Sequence, residues 1–385
     1  MKKECFAVST PGLESITSNE LIQLGLLKPS STESTKKIQK KFQGGVSFKG
    51  NLREIYLTNL HLRTASRIIV RLDHFIAKSF PELVKKTALL DWGNYLTPGQ
   101  PISVRVTSRN SALYHSDAIA NRITAAISSK LHRPSALIKH AEENQENPPQ
   151  IIIARMINDH LTISIDSSGE ILHKRGYRQE ITKAPIRETL AAGMILAAGW
   201  DPALPLIDPF CGSGTIPIEA ALIAQNTPPG IRRKFAFMNW PSFDPSLWDQ
   251  LIEEGQKNLS DTTPLISGSD RDAGAIKIAS SNADRAGVSD KINWSQNAFS
   301  AIEPASIPGW IVTNPPYGIR ASSNQDLRNL FAQLGHVLHE RFIGWNIAIL
   351  STDDHLLSQT KINFTRGVWL DNGGIKVKLS IGKIS

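Results

Sequence analysis

The sequence predicts an α/β chain: a mostly parallel, doubly wound sheet closed by a C-terminal antiparallel hairpin, preceded by a basic α+β module. Three observations predict it. From about residue 185 onward, short apolar runs alternate with helix-forming segments, the pattern of strands joined by crossover helices. Two of those runs stop at unusual sequences: Leu204-Pro205-Leu206-Ile207 at Asp208-Pro209-Phe210-Cys211-Gly212-Ser213-Gly214-Thr215, and Gly309–Thr313 at Asn314-Pro315-Pro316-Tyr317. Charge is also divided unevenly. Residues 1–187 carry 27 Lys and Arg against 16 Asp and Glu, a net +11, whereas residues 188–385 are −3.

At 385 residues the chain exceeds one ordinary domain. Hydrophobic content of 41% with 20% charged residues fits a globular protein rather than a disordered or membrane-spanning one. No apolar run reaches the roughly 18 residues expected of a membrane span, and Met1–Ser9 has no apolar stretch suited to secretion. Cys5 and Cys211 are the only cysteines, which excludes a disulfide framework and a zinc cluster and points to the cytoplasm. The basic half is either a polyanion-binding module or simply a basic surface.

Taken in order, Phe6-Ala7-Val8 reads as a strand, Pro11-Gly12 as a turn, and Leu13, Ile16, Leu21 and Ile22 as one face of a helix. A loop over 28–37 leads to a strand near Gln43–Phe48, and Lys36–Lys41 is either a phosphate contact or a solvated surface. A helix is expected over 51–70, from the spacing of Leu52, Ile55, Tyr56, Leu60 and Leu62, then a strand at Ile68–Leu72 and a helix near 80–91. Pro101–Arg109 alternates as a half-buried strand should, placing Arg105 and Arg109 on one face. An amphipathic helix from His115 to Lys130, a polar loop near Glu142–Pro149 and a hairpin of Ile151–Arg155 with Leu161–Asp166 complete the basic module. It has neither zinc-finger spacing nor an obvious helix-turn-helix, so RNA shape and backbone are its preferred ligand. In the bridge at 168–183, Arg175 and Arg178 face either substrate phosphate or the packing between modules. Pro185 opens a helix that Gly199 closes. The insertion at 226–262, with its tryptophans and basic residues, is long enough to be functional or a lid. Strand two ends at Asp270, strand three is Lys291–Ser295, strand four ends at Asn314, strand five is Trp345–Ser351, and Asn372-Gly373 marks the final hairpin.

An acid at a strand end and two glycines before a helix make a cofactor cradle. A phosphate loop needs a lysine after the second glycine, and Thr215 stands there. A dinucleotide fingerprint needs a third glycine where Pro217 stands. S-adenosylmethionine remains: Gly212 and Gly214 allow one close backbone approach, Asp208 holds the turn and receives the cofactor's ammonium end, and Asp270 accepts ribose hydroxyls. The Asn314-Pro315-Pro316-Tyr317 stretch suits a planar amine. Such a nitrogen is a poor nucleophile with two hydrogens, and the Asn314 side-chain oxygen and Pro315 carbonyl accept both. Tyr317 offers a stacking face, and the prolines stiffen the arrangement. A target inside a duplex must be flipped out or already unpaired. Carbon-5 pyrimidine chemistry needs a cysteine nucleophile, and Cys211 lies within the cofactor loop. Scattered histidines such as His115 and His173 read as surface residues.

These motifs, together with Pro11-Gly12-Leu13-Glu14, Arg175-Gly176-Tyr177-Arg178, Ala184–Ala192, Pro229-Gly230 and Asn372-Gly373, resemble the THUMP-domain class I methyltransferases. Within them the resemblance is to the large-subunit ribosomal RNA guanine-N2 methyltransferases. The resemblance covers nearly the whole chain. It implies a ferredoxin-like piece at 1–50, a THUMP RNA-binding domain at 51–167, a linker at 168–183 and a Rossmann-like methyltransferase domain at 184–385. It also implies that Asp208 to Thr215 and Asp270 bind the cofactor and that Asn314 to Tyr317 hold the target amine. One departure concerns the acid usually found after strand three. Here Gln296-Asn297-Ala298 puts an amide in its place, so Asn297 and Ala298 are expected to hold the cofactor's adenine more weakly. The alternatives are transfer RNA guanine-N2, adenine-N6 or protein glutamine methylation, and, outside catalysis, an RNA-binding ribosome-assembly factor.

Overall fold

A computed structural model describes residues 2–29, 44–139, 148–180, 186–316 and 324–385, with side chains in the last segment from Leu327 onward. The Lys36–Lys41 cluster, most of the 142–149 loop, Pro185 and Tyr317 lie outside the described residues.

The basic half forms one six-stranded sheet. Its strands are β1 (Lys3–Ser9), β2 (Gly45–Gly50), β3 (Ala65–Ile76), β4 (Ile102–Arg109), β5 (Gln150–Ile157) and β6 (His160–Asp166), in the order β2-β1-β3-β6-β5-β4. β3 is the seam, antiparallel to β1 on one side and to β6 on the other. The helix that precedes β3 is Leu52–His61, shorter than its apolar spacing predicts. It starts at a capping box, in which the Asn51 side chain accepts from the Arg53 amide and Glu54 accepts from the Asn51 amide. It ends where Leu62 turns extended, because β-branched Ile68, Ile69 and Val70 are taken into the ladder with β1.

The second half is a seven-stranded sheet of β7 (Leu206–Asp208), β8 (Ile266–Asp270), β9 (Ile292–Gln296), β10 (Trp310–Thr313), β11 (Asn346–Ser351), β12 (Phe364–Asn372) and β13 (Ile375–Lys383). The order is β12-β13-β11-β10-β7-β8-β9. Strands β7 to β11 are parallel, and β13 runs antiparallel to β11. The sequence order reverses between β7 and β10, and in such open sheets ligands bind at the carboxyl ends beside that reversal. The final hairpin turns at Gly373 and Gly374, both at positive φ, one residue later than the Asn-Gly pair suggests.

Two features lock the halves together. Leu13, buried in the second module's core, lies against Gly193 of the Glu188–Ala198 helix, where an added Cβ would stand 2.5 Å from its side chain. Gly12, at φ +96°, lets the turn approach the Trp369 carbonyl so closely that a Cβ there would lie 2.1 Å from it. The insertion at 226–262 is no lid on the strand ends. Its Phe235, Phe237, Trp240 and Leu251 are buried in the core of the first module. The Phe237 ring stacks on Tyr56 at 4.3 Å, and Trp240 donates its indole N–H to Gln150 at 3.0 Å. The segment is long because it crosses to the other sheet and there replaces apolar contacts that sheet would otherwise lack.

Candidate active site

The loop after β7 is built by elimination of side-chain volume. Gly212 and Gly214 adopt φ of 52° and 81°, left-handed values that favour glycine. At Gly214 a Cβ would meet Trp294 at 2.7 Å and Ala279 at 2.9 Å, and at Gly268, on β8, it would meet Trp294 at 2.4 Å. The Trp294 indole on β9 therefore forms the floor on which the loop rests. The Thr215–Ala224 helix follows directly, so its free amides face the loop.

Carboxylates hold this loop from within. Asp208 is buried; its Oδ1 accepts the Phe210 amide at 3.1 Å and the Thr313 hydroxyl at 2.7 Å. Thr313 is the last residue of β10, so this one oxygen ties the glycine loop to the strand that presents Asn314. Burial pushes the Asp208 carboxyl up to about 7; the Thr313 and Phe210 hydrogen bonds oppose that shift and Asp270 adds to it. Asp270 accepts the Gly212 amide at 3.1 Å on one oxygen and the Asp272 amide at 3.0 Å on the other. Each of its oxygens keeps a further lone pair for a hydroxyl. Burial also pushes the Cys211 thiol well above its ordinary range, which fits a structural residue and not a nucleophile.

At the end of β10, Asn314 Oδ1 is a buried acceptor with no hydrogen-bond partner among the described residues. An unpaired buried amide oxygen costs about 1–3 kcal/mol, so it marks a place meant for a donor. Pro315 is buried beside it and Pro316 is exposed. Asn297 and Ala298 are exposed immediately beyond β9, with Phe299 following them and lying 5.3 Å from Phe210 of the loop. The structure thus brings together the ends of β7, β8, β9 and β10, each carrying the residues that the motifs single out.

Three contributors escape the motif reading. Thr313 is a polar residue closing an apolar strand, which is its only sequence signal. Asn282 lies on the buried face of the Ala273–Ala286 helix, in register with Ala275, Ala279 and Ala286, and clamps the loop by donating to the Ser213 carbonyl at 3.1 Å. Trp294 reads in the sequence only as part of a strand. Conversely, Arg175 and Arg178 do not face the site. Arg175 is buried, bonded to Glu219 at 2.8 Å and to the Arg63 carbonyl at 2.7 Å; Arg178 pairs with Glu188 at 3.0 Å. Nor is His173 a free surface residue. It is half-buried, and burial together with Arg187, Arg178, Lys174 and Arg175 holds its imidazole down at about 3.

Comparison with known proteins identifies the family. Residues 175–381 match the family described as RMKL-like, methyltransferase domain; residues 4–69 match the RlmL ferredoxin-like domain, and residues 77–166 the THUMP domain. A Synechocystis protein provisionally named an RNA methyltransferase is 34% identical over 377 residues, covering 97% of this chain and 95% of that protein. The ribosomal RNA large subunit methyltransferase K/L of Methylococcus capsulatus is 34% identical over 398 residues, and the chain spans 52% of its length. The crystal structure of SMU.472, assigned as a methyltransferase and complexed with S-adenosylhomocysteine, superposes with a TM-score of 0.86 at 32% identity, covering 100% of this chain and 98% of that one. The residues present fit the cofactor: a glycine-lined loop at a helix N-terminus and an acid at the end of the second strand, with lone pairs left for hydroxyls. The chain belongs to the RMKL-like methyltransferase family and is an S-adenosylmethionine-dependent methyltransferase of the Rossmann-like class I fold.

Proposed function

We propose that this enzyme methylates the exocyclic N2 of a guanine in large-subunit ribosomal RNA, in the cytoplasm. The observation that carries this reading is the unpaired, buried Oδ1 of Asn314 next to the glycine loop. A guanine amine has two hydrogens and a lone pair delocalised into the ring. Asn314 Oδ1 and the Pro315 carbonyl accept those hydrogens, orient the nitrogen and stabilise the positive charge that grows on it. Tyr317, two residues after Pro315, supplies a ring for the flipped base. S-adenosylmethionine, when bound, supplies an electrophilic methyl group. Asp208 to Thr215 hold its amino-acid part, Asp270 its ribose, and Asn297 and Ala298 its adenine. Residues 1–167 bring the RNA, in keeping with their net positive charge, the THUMP match at 77–166 and the names of the relatives.

The decisive experiment pairs two measurements. Nucleosides from ribosomal RNA of cells lacking the protein are compared by mass spectrometry with those of the parent, and loss of one N2-methylguanosine is expected. Loss of an N6-methyladenosine instead would move the reading to adenine. In vitro, Asn314→Ala is expected to lower methyl transfer by about 10²–10³-fold with S-adenosylmethionine and RNA binding retained; undiminished transfer would remove Asn314 from the catalytic role.

A further inference from the structure

The six-stranded sheet buries one face in the first module's core, and its opposite face is exposed and cationic at the β4 edge. On β4, Arg105, Thr107 and Arg109 are exposed and share a face, as alternate residues of a strand must. β4 runs parallel to β5 with Thr107 opposite Arg155, which is also exposed and therefore stands on the same face between the two β4 arginines. The next strand continues the row with Thr162, registered with Arg155, and then His74 on β3. From strand geometry the two β4 arginines lie about 13 Å apart, with Arg155 about 5 Å to the side.

These three arginines are clustered on one face and exposed. Among the described residues none of their guanidinium groups has an ion pair or hydrogen bond. Arg53 is paired with Glu254, Arg71 with Glu4 and Arg178 with Glu188. The carboxylate of Asp166, on the same face, is buried and committed to Arg67 and to the amides of Ser168 and Gly169. Three clustered, unneutralised cations repel one another, and a polyanion relieves that repulsion. No aromatic ring stands among them to stack a base. Phe6, further along that face, is capped by Arg71 at 4.9 Å, and the exposed Tyr114 lies beyond the end of β4, its ring tilted by 39° against His115. Single-strand binders put bare rings on their sheets, whereas helical RNA is held through its phosphates and shape.

We infer that Arg105, Arg109 and Arg155 form a docking surface for the phosphate backbone of double-helical RNA, outside the methyl-transfer site. This rests on the reading of the substrate as RNA. The test measures binding of an A-form RNA duplex and of an unstructured polyuridine strand of equal length, over a range of salt, for the wild type and for Arg105→Gln/Arg109→Gln/Arg155→Gln. Lost phosphate contacts should make the slope of log affinity against log salt for the duplex shallower by about 2–3. Polyuridine binding should change much less, while S-adenosylmethionine affinity and the thermal midpoint stay constant. An unchanged duplex slope, with wild-type binding intact, would overturn the docking surface alone. An equal loss for both RNAs would overturn its preference for helices. A wild type that binds neither RNA would overturn both this inference and the RNA reading beneath it.

Discussion

The joint between the two modules and the cleft at the strand ends are both lined with buried polar groups, yet they treat them differently. At the joint, Glu219 accepts from Arg175 at 2.8 Å and from the Tyr177 hydroxyl at 3.0 Å, and Arg175 also reaches the carbonyls of Leu172 and Arg63. The atoms left over there, such as Glu219 Oε2 and Arg63 Nη1, belong to groups anchored through their other atoms. At the cleft, Asn314 Oδ1 meets no donor among the described residues, and Asp208 is a buried carboxyl held by hydrogen bonds from Phe210 and Thr313. The joint has partners of its own and is structural. The cleft leaves the Asn314 acceptor open. The same distinction separates Arg175 from the open arginines of β4 and β5.

Four substitutions test that contrast, in falling order of effect. Arg175→Ala strands the Glu219 carboxylate in the interior and is expected to cost about 3–5 kcal/mol of stability, read from denaturant unfolding. A loss confined to RNA affinity, with stability intact, would return Arg175 to the substrate. Leu13→Ala empties the space against Gly193 and should cost about 2–5 kcal/mol, with the two modules becoming separable by limited proteolysis. Asp208→Asn is a test of sign. Because folding raises the Asp208 carboxyl to about 7, from an ordinary value near 3.9, its contribution to stability is full below about pH 4 and is lost as pH rises through about 7. The variant should flatten that part of the pH–stability profile and be no less stable than the parent at pH 8, yet bind S-adenosylmethionine more weakly. A variant that unfolds more readily at pH 8 would show that the carboxylate itself holds the loop. Asn297→Ala should have the smallest effect, about fivefold in cofactor affinity for one hydrogen bond of about 1 kcal/mol, measured by calorimetry; unchanged affinity would remove Asn297 from the adenine site.

Much of the cleft was legible in the sequence because its requirements are local. A positive-φ turn needs glycine at 212 and 214, a strand that must stop needs prolines at 315 and 316, and each sits next in sequence to the group it positions. The alternating strand–helix pattern likewise determined the parallel sheet and its hairpin. What only the tertiary structure decided is which distant groups meet. Arg175 is as basic in sequence as Arg105, but one finds Glu219 across 44 positions of chain and the other stays exposed. The aromatic insertion reads like a lid, and its rings instead complete the first module's core, because apolar burial has no direction and any exposed hydrophobic surface within reach competes for it. Periodicity in sequence reports which face of an element is buried; the partner that buries it is set by chain paths that no local pattern encodes.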